Sequence, residues 1–535
     1  MIALNTIDAQ SLKPKGFTIL VPEHFNIGVA CADIHAKTLG QHTAILEINE
    51  AGNTKTATYK DLSDQSNRLA SSLKNIGVNA GDRVVILLPQ GIHVALAHLA
   101  IYKLGSIAVP LAHVFQEEAI SYRLQDSGAS TIITDENGCA KLNQILLNES
   151  LPELKNIIST GKKQSVKNYL SFTFSALLQP SNLSFTPVDT KAEDPCLIIY
   201  TSGTTGLPKG TLHAHRVLIG HLPGFEFHHQ PENTKGIYWT PSDWAWAGGL
   251  LNLLFPALYH GQTIIACPAQ KFDPAQAFAM MVKHKVTNAF IPPTALRMMR
   301  TVENMPKLHL KALTSAGESL GAKTYAWCKT AFGVQVDEFY GQTECNYILG
   351  SCARLGISKA GYIGKAITGA RVTLSRQNGE ANGEIIIHRN HPSMFLNYWN
   401  QPEATKAKFN GEWMNTGDTA SKDSENYISF IGRNDDVITS SGYRIGPVEI
   451  EDCLLRHKAV AMAAVVGKPD ALRTEIVKAC IVLRPNFTPS DELAVDIQNF
   501  VRKKLSSHEY PREISFVDAL PMTSTGKIIR RLLRL

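Results

Sequence analysis

A segment from residue 200 to residue 210, YTSGTTGLPKG, contains the residue types that bind a polyphosphate, and it follows directly after the apolar run CLII. Glycines allow the backbone to approach phosphate oxygens closely, while hydroxyl groups and main-chain amides can donate hydrogen bonds to them. A lysine near the end of the segment adds a positive charge. The residues that we expect to contact phosphate are Thr201, Ser202, Gly203, Thr204, Thr205 and Lys209.

Two other interpretations of this loop can be weighed from its residues. A Walker-type loop ends in Gly-Lys-Ser/Thr, whereas the order here is Pro208-Lys209-Gly210, so the pattern of a P-loop NTPase is not met. A solvated turn rich in Ser, Thr and Gly is also common between secondary-structure elements, and the loop by itself leaves that alternative open. Taken alone, the loop predicts a phosphate-binding site and nothing more specific.

Further motifs follow the loop in order along the chain: TSAGES (314–319), EFYGQTE (338–344), WMNTGD (413–418), GRNDD (432–436), SGYRI (441–445) and PMTSTGKIIRR (521–531). With the loop, they resemble the ordered motifs of the adenylate-forming superfamily, which holds acyl-CoA synthetases, nonribosomal-peptide adenylation domains and luciferases. The resemblance covers residues 40–535 and is closest in pattern to medium-chain acyl-CoA synthetases and acetyl-CoA synthetase-like ligases. It implies an AMP-forming acyl-CoA ligase, which converts ATP, a carboxylic acid and coenzyme A into acyl-CoA, AMP and diphosphate through an acyl-adenylate.

The resemblance also implies a role for individual residues in forming the adenylate. Thr343 would bind the α-phosphate and Glu344 the Mg²⁺ ion, while Lys527 would bridge the substrate carboxylate and the α-phosphate. Without the resemblance, Lys527 would be one more basic residue of a solvated tail. Asp418 would accept hydrogen bonds from the ribose, and Arg433 would contact the ribose or phosphates with its planar fork of donors. The other nucleotide-binding positions of these motifs are Gly317, Glu318, Glu338, Phe339, Tyr340, Gly341 and Gln342.

A second group of residues is implied for the transfer to coenzyme A, the other substrate. In this superfamily the small domain rotates between the two half-reactions, and Asp435 stands at the hinge position, which is also compatible with an exposed turn. After rotation, Arg444 would meet the phosphates of coenzyme A beside the pantetheine tunnel. Arg502 would be a further contact, although an exposed helix arginine is an equally ordinary explanation. The residues that match the tunnel motif are Ser441, Gly442 and Arg444.

A lone histidine, His457, stands at the expected end of a helix, where a contact with the helix dipole is the ordinary explanation. A magnesium site around Leu455, His457 and Val460, of the kind described in acetyl-CoA synthetases, is the alternative that stays open.

The segment SDWAWAGGL (242–250) resembles the acyl pocket of acetyl-CoA synthetases, where bulkier valine and threonine tend to follow the tryptophan. Here Ala247 and Gly248 follow Trp246, and Ala316 precedes the Gly-Glu pair. Gly341 stands where acetyl-CoA synthetases place a tryptophan, so we expect room for several more methylene groups, each worth about 0.8 kcal/mol when buried. This predicts a short-to-medium-chain aliphatic acid as substrate.

Aromatic acids such as benzoate remain an alternative, because Trp244, Trp246 and Phe255 could stack on a ring. An adenylation enzyme that loads a free carrier protein would share the first half-reaction. A nucleotide-binding protein that has lost catalysis is the alternative from a different class, and the charged residues retained in the motifs argue against it.

The elements that must position these residues follow an α/β pattern. Apolar β-branched runs at 82–91, 107–111, 129–138 and 194–203 end in polar or Gly-rich turns, and the first two lead into helical patterns, which indicates parallel α/β layers. Residues 141–190 show no clear period. After residue 370 hairpin patterns indicate a β-rich subdomain, and the polar run 432–446 suits a linker. We predict a large α/β N-terminal domain with that subdomain (1–431), a hinge (432–436) and a small mobile α+β domain (437–535).

Composition narrows the binding partners, the cysteine chemistry and the cellular location that can be expected. The net charge of +6 arises from 53 basic and 47 acidic residues, and gives no case for binding nucleic acid or a membrane surface. Nine scattered cysteines without a CxxC pair indicate neither a disulfide framework nor a zinc site. The N-terminus lacks a signal-peptide core, and the apolar stretch 248–266 is too interrupted to span a bilayer. We therefore expect a cytoplasmic protein without membrane insertion. Its partner would be a small-molecule carboxylic acid. A homo-oligomer is also possible.

Overall fold

The computed structural model describes the chain in fifteen segments, to which every statement below refers: 19–49, 51–162, 169–179, 185–201, 207–231, 236–268, 272–303, 305–318, 320–375, 382–433, 436–440, 443–470, 474–504, 510–523 and 527–534.

The strands of these segments run, in chain order, as β1 (Thr43–Ile48), β2 (Thr54–Thr58), β3 (Arg83–Leu87), β4 (Ile107–Pro110), β5 (Thr131–Thr134), β6 (Asn156–Ser159), β7 (Leu170–Thr173), β8 (Pro195–Thr201), β9 (Lys209–Ala214), β10 (Ile237–Trp239), β11 (Thr263–Ala266), β12 (Asn288–Phe290), β13 (Ala312–Ser315) and β14 (Val336–Tyr340). They continue as β15 (Leu349–Gly350), β16 (Lys365–Ala366), β17 (Val372–Ser375), β18 (Asn382–His388), β19 (Asn397–Tyr398), β20 (Phe409–Asn410), β21 (Trp413–Lys422), β22 (Ile428–Arg433), β23 (Ile438–Ser440), β24 (Tyr443–Ile445), β25 (Val460–Asp470), β26 (Thr474–Leu483) and β27 (Glu513–Phe516).

The α-helices are α1 (Ile34–Thr38), α2 (Tyr59–Asn75), α3 (Ile92–Lys103), α4 (Glu117–Ser127), α5 (Glu136–Asn148), α6 (Phe174–Leu178), α7 (Arg216–His229), α8 (Ala247–Gly249), α9 (Phe255–Tyr259), α10 (Pro274–Lys283), α11 (Pro293–Met299), α12 (Ala322–Phe332), α13 (Pro402–Ala407), α14 (Pro447–Leu454) and α15 (Asp491–Lys504). Two π-helical segments, Val29–Asp33 and Leu250–Leu254, adjoin α1 and α9, and short 3₁₀ turns cover Ala353–Leu355 and Arg530–Leu533.

An eight-stranded sheet carries the phosphate loop at one of its strand ends. Its order is β19-β9-β8-β4-β3-β5-β6-β7, and the five pairings from β8 to β7 are parallel. The central strands are Val- and Ile-rich and buried along their length, as expected when helices cover both faces. At the end of β8, Thr201 pairs with Lys209 of the antiparallel β9, so the two ends of the loop lie side by side.

A nine-stranded sheet brings the next two motifs together. Its order is β16-β15-β14-β13-β12-β10-β11-β1-β2, and the strands from β14 to β1 pair in parallel. Ser315 at the end of β13 pairs with Glu338 near the end of β14. Because the carboxyl ends of parallel strands share one edge, TSAGES and EFYGQTE emerge beside each other, where ligands of α/β proteins bind.

A five-stranded antiparallel sheet follows, in the order β17-β18-β21-β20 with β22 also paired to β21. Its register places Asp418 of β21 directly opposite Arg433 of β22. The last sheet contains the strands after residue 438, in the order β24-β23-β26-β25 with β27 parallel to β26. Ile438, Ile445 and Ile450 are fully or almost fully buried in its own core, as are Ile481 and Ile497.

This architecture confirms the predicted α/β class, with a large N-terminal part and a smaller α+β C-terminal part. Two local predictions were wrong. Residues 141–190 were expected to be irregular, but they contain most of α5 together with β6, β7 and α6. The last three elements have only four or five residues each, which is too short to give a sequence period. The run 432–446, read as a linker, contains the hairpin of β23 and β24, because Ile438 and Ile445 bury against the small core despite polar neighbours.

Among the described residues, no helix combines the length and the apolar character needed to cross a bilayer. The nine cysteines are all unpaired thiols.

Candidate active site

The two ends of the phosphate loop are both held by residues of α4. Tyr200 donates its hydroxyl hydrogen to Asp126 Oδ2 at 2.6 Å, and Tyr122 donates to the Pro208 carbonyl at 2.9 Å. These bonds fix the approach and the exit of the loop. The predicted phosphate contacts Ser202, Gly203, Thr204 and Thr205 lie outside the described residues.

Tyr398 joins the phosphate loop to the EFYGQTE motif. The ammonium nitrogen of Lys209 lies 5.1 Å from the centre of the Tyr398 ring, and the Tyr398 hydroxyl donates a hydrogen bond to Glu344 Oε1. Burial, reinforced by the charge of Glu344, raises the pKa of Tyr398 above its usual range, so the hydroxyl remains a donor. Glu344 is 8% exposed, and the only hydrogen bond to its carboxylate from the described residues is the one from Tyr398.

Asp418 is the centre of a second cluster. Its Oδ2 accepts hydrogen bonds from the Tyr340 hydroxyl at 2.5 Å and from Gln342 Nε2 at 2.6 Å. Its Oδ1 lies 3.2 Å from Arg433 Nε, and the residue keeps only 4% of its exposure. The carboxylate is therefore held in one orientation by three neighbours from the predicted motifs, with an arginine fork beside it.

Lys408 is a charged residue of this region that the sequence did not reveal. Its Nζ donates to Gln342 Oε1 and to the Thr416 carbonyl, both at 3.3 Å. Burial lowers its pKa, an effect opposed by the negative charge of Glu344. Lys408 precedes Phe409 in a surface-like stretch, and its sequence context carries no signal that it turns inward.

Thr343 and Glu338 are two further residues of the EFYGQTE motif. The Thr343 backbone contacts His213, a fully buried side chain whose pKa burial lowers to about 3, so this imidazole is neutral. Burial raises the pKa of Glu338 to about 7, and Asp452 of the C-terminal part adds to the shift.

Aromatic rings surround the segment expected to form the acyl pocket. Trp246 packs edge-on against Phe115, with ring centres 5.8 Å apart. A Cβ atom placed on Gly248 would lie 3.1 Å from the ring of Phe290, and Phe290 in turn contacts Phe339 at 5.4 Å between centres. Ala247 is buried on the same helical segment, and half-buried Ala316 packs against the same core.

The expectation that Gly341 leaves free room in this pocket was wrong. A Cβ atom placed on Gly341 would lie 2.3 Å from Asn346 Oδ1 and 2.9 Å from the Tyr347 nitrogen. The volume that a larger residue would take is therefore filled from the segment that follows Glu344. Tyr347 stacks on Phe339 with ring centres 4.2 Å apart, which adds an aromatic wall at this end.

A family comparison identifies these motifs. The model of the family described as AMP-binding enzyme matches residues 33–399, and the model described as AMP-binding enzyme C-terminal domain matches residues 449–527. The chain belongs to the AMP-binding enzyme family.

Individual relatives in this family are acyl-CoA synthetases and ligases. The acetyl-coenzyme A synthetase of Bacillus subtilis (strain 168) is 33% identical over 528 residues, which cover 95% of this chain and 90% of that protein. The mitochondrial acyl-coenzyme A synthetase ACSM1 of Mus musculus is 32% identical, over 96% of this chain and 92% of that protein. The crystal structure of the anthranilate CoA ligase AuaEII with anthranoyl-AMP superposes with a TM-score of 0.86 at 28% identity, covering 96% and 97% of the two chains.

Membership in the AMP-binding enzyme family confirms the predicted enzyme class, an AMP-forming acyl-CoA ligase. Family membership likewise confirms the predicted use of ATP, coenzyme A and Mg²⁺. The described residues fit a magnesium ion in one respect, since one oxygen of the Glu344 carboxylate accepts no hydrogen bond from them, while Tyr398 binds the other.

Several predicted residues of this AMP-binding enzyme lie apart from these clusters. Glu318 accepts hydrogen bonds from Thr294 Oγ1 and Arg297 Nη1, each at 3.0 Å, while Gly317 is exposed with φ +99°. Arg502 is exposed on α15, with its guanidinium 5.5 Å from the ring centre of Tyr510.

The side chain of Lys527 is exposed. Its amide donates to Thr523 Oγ1 at 3.0 Å, and Met522 bridges Ile528. No described side chain of the clusters around Glu344 and Asp418 is bonded to it. Ser441 and Gly442 lie outside the described residues, as does the side chain of Arg444.

Within the predicted hinge 432–436, an anchored residue stands on either side of Asp435. Before it, Arg433 faces Asp418 of the large domain. After it, Asp436 pairs with Arg530 at 3.4 Å and with Arg534 at 3.0 Å, both from the C-terminal tail. Asp435 itself lies outside the described residues, between these two anchors.

His457 is 5% exposed, and its Nε2 lies 3.3 Å from Asp496 Oδ2 of α15. Its carbonyl accepts a hydrogen bond from the Val460 nitrogen at 3.3 Å. These contacts favour a structural role for the residue, and no group of three or more metal-binding side chains occurs among the described residues.

Proposed function

We propose that this ligase activates short-to-medium-chain carboxylic acids as acyl-adenylates on the site around Glu344 and Asp418, and transfers the acyl group to coenzyme A. The observation that carries the proposal is the contact of Tyr398 with both Lys209 and Glu344. It unites a phosphate-loop cation and a candidate metal carboxylate that are 135 residues apart in the chain. Such a pairing is what the departure of a polyphosphate needs.

In the first half-reaction, a carboxylate oxygen of the acid attacks the α-phosphorus of ATP and diphosphate leaves. Lys209 and Thr201 would hold the leaving phosphates, and Thr343 would bond an α-phosphate oxygen. Asp418, oriented by Tyr340 and Gln342, would accept hydrogen bonds from the ribose hydroxyls. When bound at Glu344, Mg²⁺ would neutralise phosphate charge.

The second half-reaction would use a different placement of the small domain, with the pivot between the anchors Arg433 and Asp436. Each anchor is tied to its own domain, so a pivot between them would let the small domain turn while both ion pairs persist, and Asp435 is the proposed pivot residue. In the present arrangement Asp452 approaches Gly321 of the large domain, and Lys527 is exposed. We infer that this arrangement belongs to thioester formation, for which Ser441, Gly442, Arg444 and Arg502 are the proposed contacts of coenzyme A.

The choice of acid follows from the walls of the pocket. Phe290 bounds the space beside Gly248, and Asn346 fills the space beside Gly341. The small residues Ala247 and Ala316 leave more room than bulkier residues would. The walls formed by Phe290 and Asn346, however, limit the depth of the acyl pocket. This supports an acid of modest length over a long fatty acid.

An aromatic acid is the second candidate, and one observation favours it. Phe339 and Tyr347 are stacked with planes 6° apart, and Phe290 lies against Phe339, so a cluster of buried aromatic rings stands on this side of the proposed pocket. In addition, the anthranilate ligase and a benzoate CoA ligase from Burkholderia xenovorans LB400 are both 28% identical to this chain.

A panel of straight-chain acids from two to twelve carbons, with benzoate and anthranilate, tests the proposal through AMP release with and without coenzyme A. We expect the highest kcat/KM for a short-to-medium aliphatic acid and turnover that depends on coenzyme A. A best rate with the ring acids would select the aromatic alternative. Acid-dependent AMP formation that coenzyme A does not stimulate would favour loading of a carrier protein, and no turnover with any acid would favour a binding protein.

We also propose a cytoplasmic location, on the basis of nine unpaired thiols, which suit a reducing compartment. The suggestion of a homo-oligomer stays a prediction, for which light scattering at several protein concentrations is the direct measurement.

A further inference from the structure

Two asparagine side chains are hydrogen-bonded to each other inside the large domain. Asn346 Nδ2 donates to Asn252 Oδ1 at 2.9 Å, and the residues keep 8% and 2% of their exposure. Around them lie apolar and aromatic side chains of the main core. Burying an amide costs free energy unless hydrogen bonds replace those it made with water, so a paired amide in such surroundings indicates a specific role.

The orientation of both amides is fixed by the backbone. The Tyr347 N–H donates to Asn346 Oδ1 at 2.7 Å, and a backbone N–H cannot accept. Asn346 must therefore turn its NH₂ group toward Asn252, which must present its oxygen in return. The NH₂ group of Asn252 then points elsewhere, and it makes no hydrogen bond with any residue that the structure describes. Two donor hydrogens remain for a ligand or water.

The pair lies where the two glycine-bearing walls of the acyl pocket approach each other. Asn252 follows Gly248 by four residues, one turn later on the continuous helical segment 247–259. On the opposite side, Asn346 Oδ1 is the atom that a side chain at Gly341 would strike. Phe290, which a Cβ atom on Gly248 would meet, contacts Phe339 in turn.

We propose that the Asn252–Asn346 pair determines specificity, and that the Asn252 amide donates a hydrogen bond to a neutral acceptor on the acyl part of the acid. The inference rests on the proposed function. The acceptor is a hydroxyl, carbonyl or ether oxygen, because an uncharged amide offers nothing that would compensate a second carboxylate. A pocket that hydrogen-bonds its substrate rejects an analogue lacking the acceptor, because the protein amide is then left unpaired.

A purely structural role for Asn346 must be separated from this proposal. Tyr347 has φ +63°, an uncommon conformation for a large side chain, and the bond from its nitrogen to Asn346 Oδ1 helps to hold it. Substitution of Asn346 would disturb that turn. Asn252 does not contact the Tyr347 nitrogen, so Asn252 variants test the pocket and leave the turn in place.

The test compares pairs of acids of equal length, one with a hydroxyl or keto group on the chain and one without, by kcat/KM for AMP release with coenzyme A. The wild-type enzyme is expected to prefer the substituted member of the best pair by roughly tenfold. Asn252→Leu should abolish that preference while keeping turnover of the plain acid. Asn252→Asp preserves the shape of the side chain but removes the amide donors, so it should also abolish the preference for the substituted acid. This variant replaces Asn252→Leu in the test if the leucine variant does not fold.

Asn156→Leu is the matched control. Asn156 is a buried asparagine of β6, whose Nδ2 donates to Thr131 Oγ1 at 3.1 Å; it belongs to the eight-stranded sheet, whereas Phe290 and Phe339 of the pocket belong to the nine-stranded sheet. It should lower the melting temperature without changing the preference. Equal kcat/KM for the members of every pair, or a preference that survives in both Asn252 variants, overturns the inference and leaves the ligase intact. Absence of AMP release with every acid overturns the proposed function, and this inference with it.

Discussion

Tyr398 donates a hydrogen bond to Glu344 while its ring lies under the ammonium group of Lys209, so one side chain contacts residues from two separate motifs of the expected ATP site. Tyr398 comes from β19, which pairs with β9 directly after the phosphate loop. The short strand therefore couples the position of the loop to the position of the candidate magnesium ligand. No single motif contains this relationship.

Replacing Tyr398 with phenylalanine should weaken magnesium-dependent turnover. The ring would still face Lys209, but Glu344 would lose the donor that orients it. Loss of such an outer partner of a metal ligand typically costs about 10- to 100-fold in metal affinity or activity. We expect a tenfold or larger rise in the Mg²⁺ concentration that gives half-maximal ATP–diphosphate exchange.

Tyr427→Phe is the control for Tyr398→Phe, because Tyr427 lies against Lys359 and Lys365, away from Glu344. The role assigned to Tyr398 would be rejected by an unchanged magnesium titration in a folded Tyr398→Phe protein.

Lys527→Ala should separate the two half-reactions. The lysine is exposed in the present arrangement and is proposed to reach the α-phosphate only after the small domain moves. Removing a charge that acts on the transition state costs about 100- to 1,000-fold, so ATP–diphosphate exchange should fall by that amount. Thioester formation from supplied acyl-adenylate should be retained. Lys504→Ala, at the exposed end of α15, should change neither step, and equal losses in both steps of Lys527→Ala would contradict the assignment.

Whether a feature of the structure could be predicted from the sequence depends on whether neighbouring residues in the chain encode it. Strands β3, β4, β5 and β8 and the order of the motifs were predictable, because each of these strands or loops carries its own apolar run or its own residue types, whereas β6 and β7 were too short to be found. Tyr398 and Lys408 were not, because their partners are distant in the chain. The wall beside Gly341 was misjudged for the same reason, since the atom that fills the space belongs to Asn346, whose direction is set by the turn at Tyr347.

Acid should destabilise the protein through its buried histidines. Burial lowers the pKa of His98 and of His391 to about 3, from 6.5 in the unfolded chain. As the pH falls below 6.5, these histidines bind protons in the unfolded chain but not in the folded chain. Each such histidine therefore stabilises the fold fully above pH 6.5, and this contribution is lost toward pH 3 at up to about 1.4 kcal/mol per pH unit.

Urea unfolding at pH 7.5, 6.0 and 5.0 measures this effect. His98→Gln should flatten the loss of unfolding free energy between pH 6.0 and 5.0, whatever its effect at pH 7.5. His309→Gln, an exposed position, should leave the pH slope unchanged. A slope in His98→Gln equal to that of the wild type would show that His98 titrates normally.

The last prediction concerns the contact between the two domains at Gly321. This residue has φ +78°, and a Cβ atom placed on it would lie 2.8 Å from Asp452 Oδ1 of the small domain. Gly321→Ala should therefore disfavour the present arrangement, which we assign to thioester formation. We expect thioester formation to slow by roughly three- to tenfold, as a shift of about 1 kcal/mol between two arrangements requires, while ATP–diphosphate exchange is kept.

Gly333→Ala isolates the backbone effect, because Gly333 has φ +72° at the end of α12 and nothing within 4 Å of its Cβ position. Both substitutions should lower the free energy of unfolding by about 1 kcal/mol through left-handed strain. Only Gly321→Ala should change the ratio of the two half-reaction rates, because only there does the added methyl group meet the other domain. If both variants change the ratio equally, strain in α12 accounts for the effect; if Gly321→Ala slows ATP–diphosphate exchange instead, the arrangement belongs to adenylation.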